Sequence, residues 1–153
     1  MKNNIIVNSP VRGKIITLEE IRDGVFSEKL LGDGVAVVPC DTHLYAPLSG
    51  EIVTLFPTGH AIGIRSDEGA DILVHIGIDT VEITEKVFHV FLEQGQTVNQ
   101  GDLMATADFE RIKSLGYQCE VIIIETNKAF QVLQQNVGNN VDINQCILKI
   151  QNK

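Results

Sequence analysis

The sequence holds no apolar run approaching the ~18 residues of a membrane-crossing helix, which argues against direct membrane insertion. Basic residues are scarce: 12 Lys and Arg stand against 20 Asp and Glu, a formal net charge of −8. Nucleic-acid backbones and anionic membrane surfaces both reward basic patches, so neither is an expected partner. A basic protein docking on an acidic surface stays open. Cysteine is also sparse and odd in number, with Cys40, Cys119 and Cys146 far apart. That excludes a disulfide framework and a CxxC zinc site, and each cysteine is expected to be a small buried hydrophobe and not a nucleophile. The N-terminal residues Met1 to Ile5 lack the apolar stretch of a signal peptide. The expected location is cytoplasmic.

What is present is β-type patterning. The 153 residues are expected to form one domain, 1–153, with enough apolar content (44%) for its own core. Short apolar runs bounded by turn residues predict strands at 5–7, 14–18, 34–38, 51–55, 61–65, 71–78, 120–124 and 146–150. The fold class is therefore all-β, an antiparallel sandwich or barrel-like domain with one or two short helical turns. One such turn is expected at 108–116, between an Asp108 N-cap and Gly116, and another after Thr17, where Thr17 and Glu20 have capping-box spacing. The segments 9–18 and 46–55 repeat one another, each placing Pro-x-x-Gly before a strand. The glycine there is expected to supply a turn with positive φ. A looser echo links 95–103 with 138–146.

Of four histidines, His43 and His89 read as surface residues. His75 lies in the run Asp71-Ile72-Leu73-Val74-His75-Ile76-Gly77-Ile78-Asp79. Strand alternation puts Leu73, His75, Gly77 and Asp79 on one face and Ile72, Val74, Ile76 and Ile78 on an aliphatic core face. Thr58, His60 and Ile62 are expected to share a face of the preceding strand. The polar turn at 65–70 joins the two as a hairpin and is expected to set His60 directly opposite His75, their Cβ atoms about 4.5–5.5 Å apart. Two facing imidazoles suit metal binding, acid–base catalysis or covalent phosphate transfer. For phosphate transfer, one neutral nitrogen attacks phosphorus, while the second imidazole, a hydroxyl and backbone amides around Gly77 donate to the phosphoryl oxygens.

The stretches Val74 to Thr80, Pro57 to Ile62, Gly32 to Ala36, Val25 to Lys29 and Glu93 to Asp102 resemble, in order, the glucose-type IIA domains of the bacterial phosphoenolpyruvate:sugar phosphotransferase system. The resemblance implies an antiparallel β-sandwich and a phosphoryl-carrier role. It implies that His75 accepts phosphate from the carrier HPr and passes it to a cysteine of a IIB domain. His60 is then the supporting imidazole and Thr58 its hydrogen-bonded neighbour. Phe26, Phe56, Asp79, Leu73 and Ile62 are implied partner-docking residues, Leu73 and Ile62 standing where many relatives carry phenylalanine. No intrinsic cofactor or metal is implied beyond the covalent phosphohistidine. Two departures stand out: the stretch 82–88 has no glycine, and Gln118 to Ile122 lacks a usual proline.

Three other readings compete. A zinc peptidase of related fold would need His60, His75 and Asp79 as ligands, and no His-x-His pair is present. A degenerate IIA-like regulator would bind partners without relaying phosphate. A swinging-arm carrier would need a modifiable lysine at a hairpin tip, which the turn at Val98 to Asp102 lacks.

Overall fold

The computed structural model describes residues 4–153; Met1 to Asn3, part of the segment read for a signal peptide, lie outside the described residues. Among the described residues, fourteen strands alternate with one short α-helix and two single 3₁₀ turns. In chain order the strands are β1 (Ile5–Asn8), β2 (Gly13–Thr17), β3 (Asp33–Pro39), β4 (His43–Tyr45), β5 (Gly50–Leu55), β6 (Ala61–Arg65) and β7 (Asp71–Ile76). They continue with β8 (Phe88–Val90), β9 (Thr97–Val98), β10 (Leu103–Ala107), β11 (Val121–Glu125), β12 (Phe130–Gln135), β13 (Asn140–Val141) and β14 (Cys146–Asn152). The helix α1 spans Phe109–Ser114, and the 3₁₀ turns span Leu18–Ile21 and Thr80–Glu82.

The strands form an eight-stranded sheet in the order β13-β2-β3-β11-β7-β6-β5-β9 and two three-stranded sheets, β1-β14-β12 and β4-β10-β8. All pairings are antiparallel, as the sequence pattern predicts. One face of the large sheet and the inner faces of the small sheets enclose the main core, which includes Ile15, Ile52, Ile62, Ile72, Val74, Ile76, Met104 and Ile123. The other face carries a second, smaller apolar cluster of Leu18, Ile21, Phe26, Ala36, Ile78, Ile122 and Ile124, covered by the chain from 18 to 31. Burial of this kind, at roughly 25 cal/mol per Å² of apolar surface, is the main force holding the layers together.

Both sequence repeats have a structural meaning. The β2–β13 pair (Gly13↔Val141) and the β5–β9 pair (Gly50↔Val98) occupy the two ends of the large sheet. The halves also exchange backbone hydrogen bonds, Asn8 N–H to Pro47 O at 2.8 Å and Tyr45 N–H to Pro10 O at 2.7 Å. The repeat glycines differ from expectation in one respect. Neither Gly13 nor Gly50 has positive φ. A Cβ would instead lie 2.0 Å from Val38 O at Gly13 and 2.2 Å from Arg65 O at Gly50, so close backbone approach is what requires glycine.

The expected helical turns are present. Asp108 accepts from Arg111 N–H at 3.1 Å, Gly116 closes α1 at φ +92°, and the Glu20 carboxylate accepts from Thr17 N–H at 2.8 Å. Among the described residues no helix is long and apolar enough to cross a membrane.

Candidate phosphoryl-transfer site

The site begins with β7. Its alternation holds from Asp71 to Ile76, with Ile72, Val74 and Ile76 buried and Leu73 and His75 half-buried. It stops at Gly77, whose φ of +78° turns the chain. A side chain there would put a Cβ 2.4 Å from Thr80 Cγ2 and 2.8 Å from Gln118 O, so conformation and space both demand glycine. Because alternation ends at Gly77, Ile78 packs in the smaller cluster on the His75 side, not in the main core as the strand pattern predicts. Leu73 packs against the same cluster.

The kink at Gly77 also has a chemical consequence. The Gly77 N–H donates to Glu120 O at 3.0 Å and the Ile78 N–H to Gln118 O at 3.1 Å, so neither is a donor for a phosphoryl oxygen, contrary to expectation. The Gly77 carbonyl is what serves the site. It accepts from His75 Nδ1 at 2.7 Å. A carbonyl oxygen only accepts, so Nδ1 carries the hydrogen and Nε2 carries the lone pair.

The register differs from the expected one by a single residue. Ala61, not His60, pairs with His75, and His60 O accepts from Ile76 N–H at 2.6 Å. The reason lies in the five-residue turn after Arg65, where Ser66 N–H donates to Ala70 O and Arg65 pairs with Asp71. Ile62 therefore faces the main core opposite Val74 and is fully buried. It shares no face with His60 and is not a docking residue. His60 reaches the site because regular strand begins only at Ala61. A turn closed by Gly59 N–H to Phe56 O (2.8 Å), with Gly59 at φ +81°, delivers its ring. The two imidazoles meet edge to face with centroids 5.0 Å apart.

The remaining neighbours fill in around this pair. The Thr58 hydroxyl is hydrogen-bonded to His60 Nδ1, leaving Nε2 as the free nitrogen of that ring too. Phe56 is 42% exposed, with its ring 5.1 Å from His60, and forms an apolar rim. Phe26 is 6% exposed, its ring 4.9 Å from His75, so it is a wall of the site more than a free docking surface. Asp79 is exposed at φ +59° just before the second 3₁₀ turn. Burial pulls the His75 pKa below 6.5, opposed by the Gly77 carbonyl and by the charges of Asp79 and Asp23. Burial and the neighbouring His75 pull His60 down to about 4. Both rings are neutral near pH 7, as a nucleophile and a neutral donor require.

This chain matches the family described as phosphoenolpyruvate-dependent sugar phosphotransferase system, EIIA 1, over residues 5–130. The chain belongs to that family. It is a phosphocarrier EIIA domain of the sugar phosphotransferase system. It is 43% identical over 131 residues to the glucose-specific EIIA component of Mycoplasma capricolum, covering 86% of this chain and 85% of that one. The solved glucose permease IIA from the same organism superposes with a TM-score of 0.87 at 37% identity, over 96% of each chain. The β-glucoside-specific EIIBCA component of Halalkalibacterium halodurans is 44% identical over 121 residues, 79% of this chain. The matched stretch is only 19% of that relative's own length.

Asp23 is the site neighbour that sequence reasoning missed. It stands 52 positions before His75, and only the fold of the 18–31 segment over the sheet brings the two together. Among the described residues no three His, Cys, Asp or Glu side chains gather as a metal-holding group, so His60, His75 and Asp79 do not assemble the ligand set weighed for zinc. The turn at 98–102 is closed by Asn99 N–H to the Asp102 carboxylate at 2.8 Å and reads as a plain β-turn.

Proposed function

We propose that His75 is the phosphate-carrying residue of this EIIA domain and that Nε2 is the atom that takes the phosphoryl group. The observation that supports this is the Nδ1–H bond to Gly77 O, which places the ring's only lone pair on Nε2. The donor is the phosphohistidine of HPr. As the His75 Nε2–P bond forms, the donor N–P bond breaks and its electron pair returns to the donor imidazole. The product ring keeps its Nδ1 hydrogen and carries positive charge, stabilised by the Gly77 carbonyl and the nearby Asp79 and Asp23 carboxylates. The phosphoryl group then leaves for a cysteine of a IIB domain, a partner class consistent with the fused EIIBCA relative.

His60 supports the onward transfer without carrying phosphate. The Thr58 hydroxyl is bonded to His60 Nδ1; in the tautomer in which the hydroxyl donates, the His60 hydrogen sits on Nε2 and offers a neutral donor to the phosphoryl oxygens as charge develops there. Phe56 and Asp79 border the opening and meet the partners, and the apolar rim excludes water during transfer. The reaction belongs on the cytoplasmic side of the membrane, where the donor is found. The test is labelling with phosphoenolpyruvate, the general first enzyme and HPr. Wild type takes one acid-labile phosphate, His75→Ala takes none, and His60→Gln is labelled but passes phosphate on slowly. Continued labelling of His75→Ala at His60 would reverse the two roles.

A further inference from the structure

The 22–32 segment crosses the His75 side of the sheet without strand or α-helix of its own, yet it presents Phe26 to the active imidazole. One side chain organises it. Asp23 Oδ1 accepts from Val25 N–H at 3.2 Å and Ser27 N–H at 3.0 Å, and Oδ2 accepts from Phe26 N–H at 3.2 Å. The Ser27 hydroxyl closes the turn by accepting from Gly24 N–H at 3.0 Å. Further along, Lys29 N–H donates to Phe26 O at 3.0 Å and Leu30 N–H to Val25 O at 3.1 Å. Burial alone would raise the Asp23 pKa, but the backbone N–H groups of Ser27, Phe26, Val25 and Asp23 itself outweigh it and hold the carboxylate ionised.

We propose that Asp23 is a positioning residue for phosphoryl transfer: by fastening the 23–27 turn it holds the Phe26 ring against His75 and so fixes the orientation of that imidazole. The His75 ring is then bounded by Phe26, the edge of His60 and the Nδ1–H bond to Gly77 O. Of the charged or titratable groups around it, His60 meets it ring edge to ring, and the charges of Asp79 and Asp23 act on it. A reacting nitrogen must meet phosphorus within a narrow range of distance and angle, and losing one wall widens that range. Asp23 acts through Phe26 and does not touch the reacting atoms. The rate part of this proposal rests on His75 being the carrier.

The test reads the His75 ring protons by NMR in the unphosphorylated protein and, separately, the transfer rate. The Phe26 ring current marks its position over His75. In Asp23→Ala the His75 signals should move toward those of Phe26→Leu, and transfer should slow on the order of tenfold or more. The double variant Asp23→Ala, Phe26→Leu should lose no more than the worse single, because both remove one wall. Asp23→Asn keeps an oxygen for Val25 and Ser27 and should retain the signals and most of the rate. Unmoved His75 signals in Asp23→Ala, or rate losses that multiply, overturn the proposal. So does an Asp23→Asn variant as slow as Asp23→Ala with its signals in place, which would make the role purely electrostatic. If Asp23→Ala does not fold, Ser27→Ala loosens the same turn and should shift the signals the same way by less; no shift overturns the proposal. If wild type takes no phosphate, the carrier reading fails while the NMR comparison still decides the positioning.

Discussion

Replacing Glu125 by Gln should make the protein's stability less sensitive to pH, by an amount the structure specifies. Glu125 ends β11, paired with Ile72 and Asp33, and is 5% exposed. Its Oε1 accepts from Asn127 N–H, while Oε2 is buried without a hydrogen-bond partner. Burial raises its pKa from 4.5 to about 7; the Asn127 bond opposes this and Asp71 adds to it. Folded and unfolded chains thus bind the proton differently. Below the unfolded value both states are protonated and nothing is lost. Between 4.5 and about 7 the unfolded state ionises first, so stability falls as pH rises. Above about 7 the loss levels off at roughly 3 kcal/mol, because each tenfold difference in proton affinity between the two states is worth about 1.4 kcal/mol. Gln is neutral throughout and keeps an oxygen for Asn127. Urea unfolding of both proteins on either side of this window gives the comparison. The stability of Glu125→Gln relative to wild type should rise by about 2–3 kcal/mol from the acid to the alkaline side. An unchanged difference would refute a protonated, buried Glu125.

Gly77→Ala should cost about 1–3 kcal/mol for its positive φ alone, with more from the contact to Thr80, and phosphate uptake should fall with the lost Gly77–His75 geometry; unfolding and labelling together check it. Ile62→Ala should destabilise by about 2–5 kcal/mol as a core truncation, read from its urea midpoint. Phe56→Ala, at the exposed rim, should leave stability nearly unchanged and raise KM for the phosphoryl donor. The rate of phosphate uptake should stay flat with falling pH down to 6.5 and drop only below it, because burial lowers the His75 pKa; a drop centred above 6.5 would contradict the neutral nucleophile.

Strands such as β7, with period-two alternation, and β3, β6 and β11, with continuous apolar runs buried on both faces, are visible in the sequence because each kind of burial writes a regular apolar code. The three-residue strands β4 and β8 each contain a histidine among few apolar residues, and Phe130-Gln131-Val132-Leu133 in β12 breaks its own alternation at a register shift. Their place comes from pairing with β10 and β14, which is tertiary information. Within the site, His75 and His60 were legible as a pair, since one hairpin joins them. The one-residue register error follows from a turn whose length the polar run 65–70 leaves ambiguous, and it misplaced Ile62. Asp23 and the Gly77 carbonyl were not legible. The first depends on a long-range crossing of the sheet, and the second on a backbone atom that side-chain patterns do not reveal.

Whether phosphate rides on Nε2 of His75 can be read directly. The protein is labelled with ¹⁵N-histidine and phosphorylated through HPr, and both ring nitrogens of each histidine are followed by NMR. Phosphorus coupling is expected at His75 Nε2, with the hydrogen retained on Nδ1 and His60 unmodified. Coupling at His75 Nδ1, or at either nitrogen of His60, would contradict the assignment of His75 Nε2 as the carrier atom.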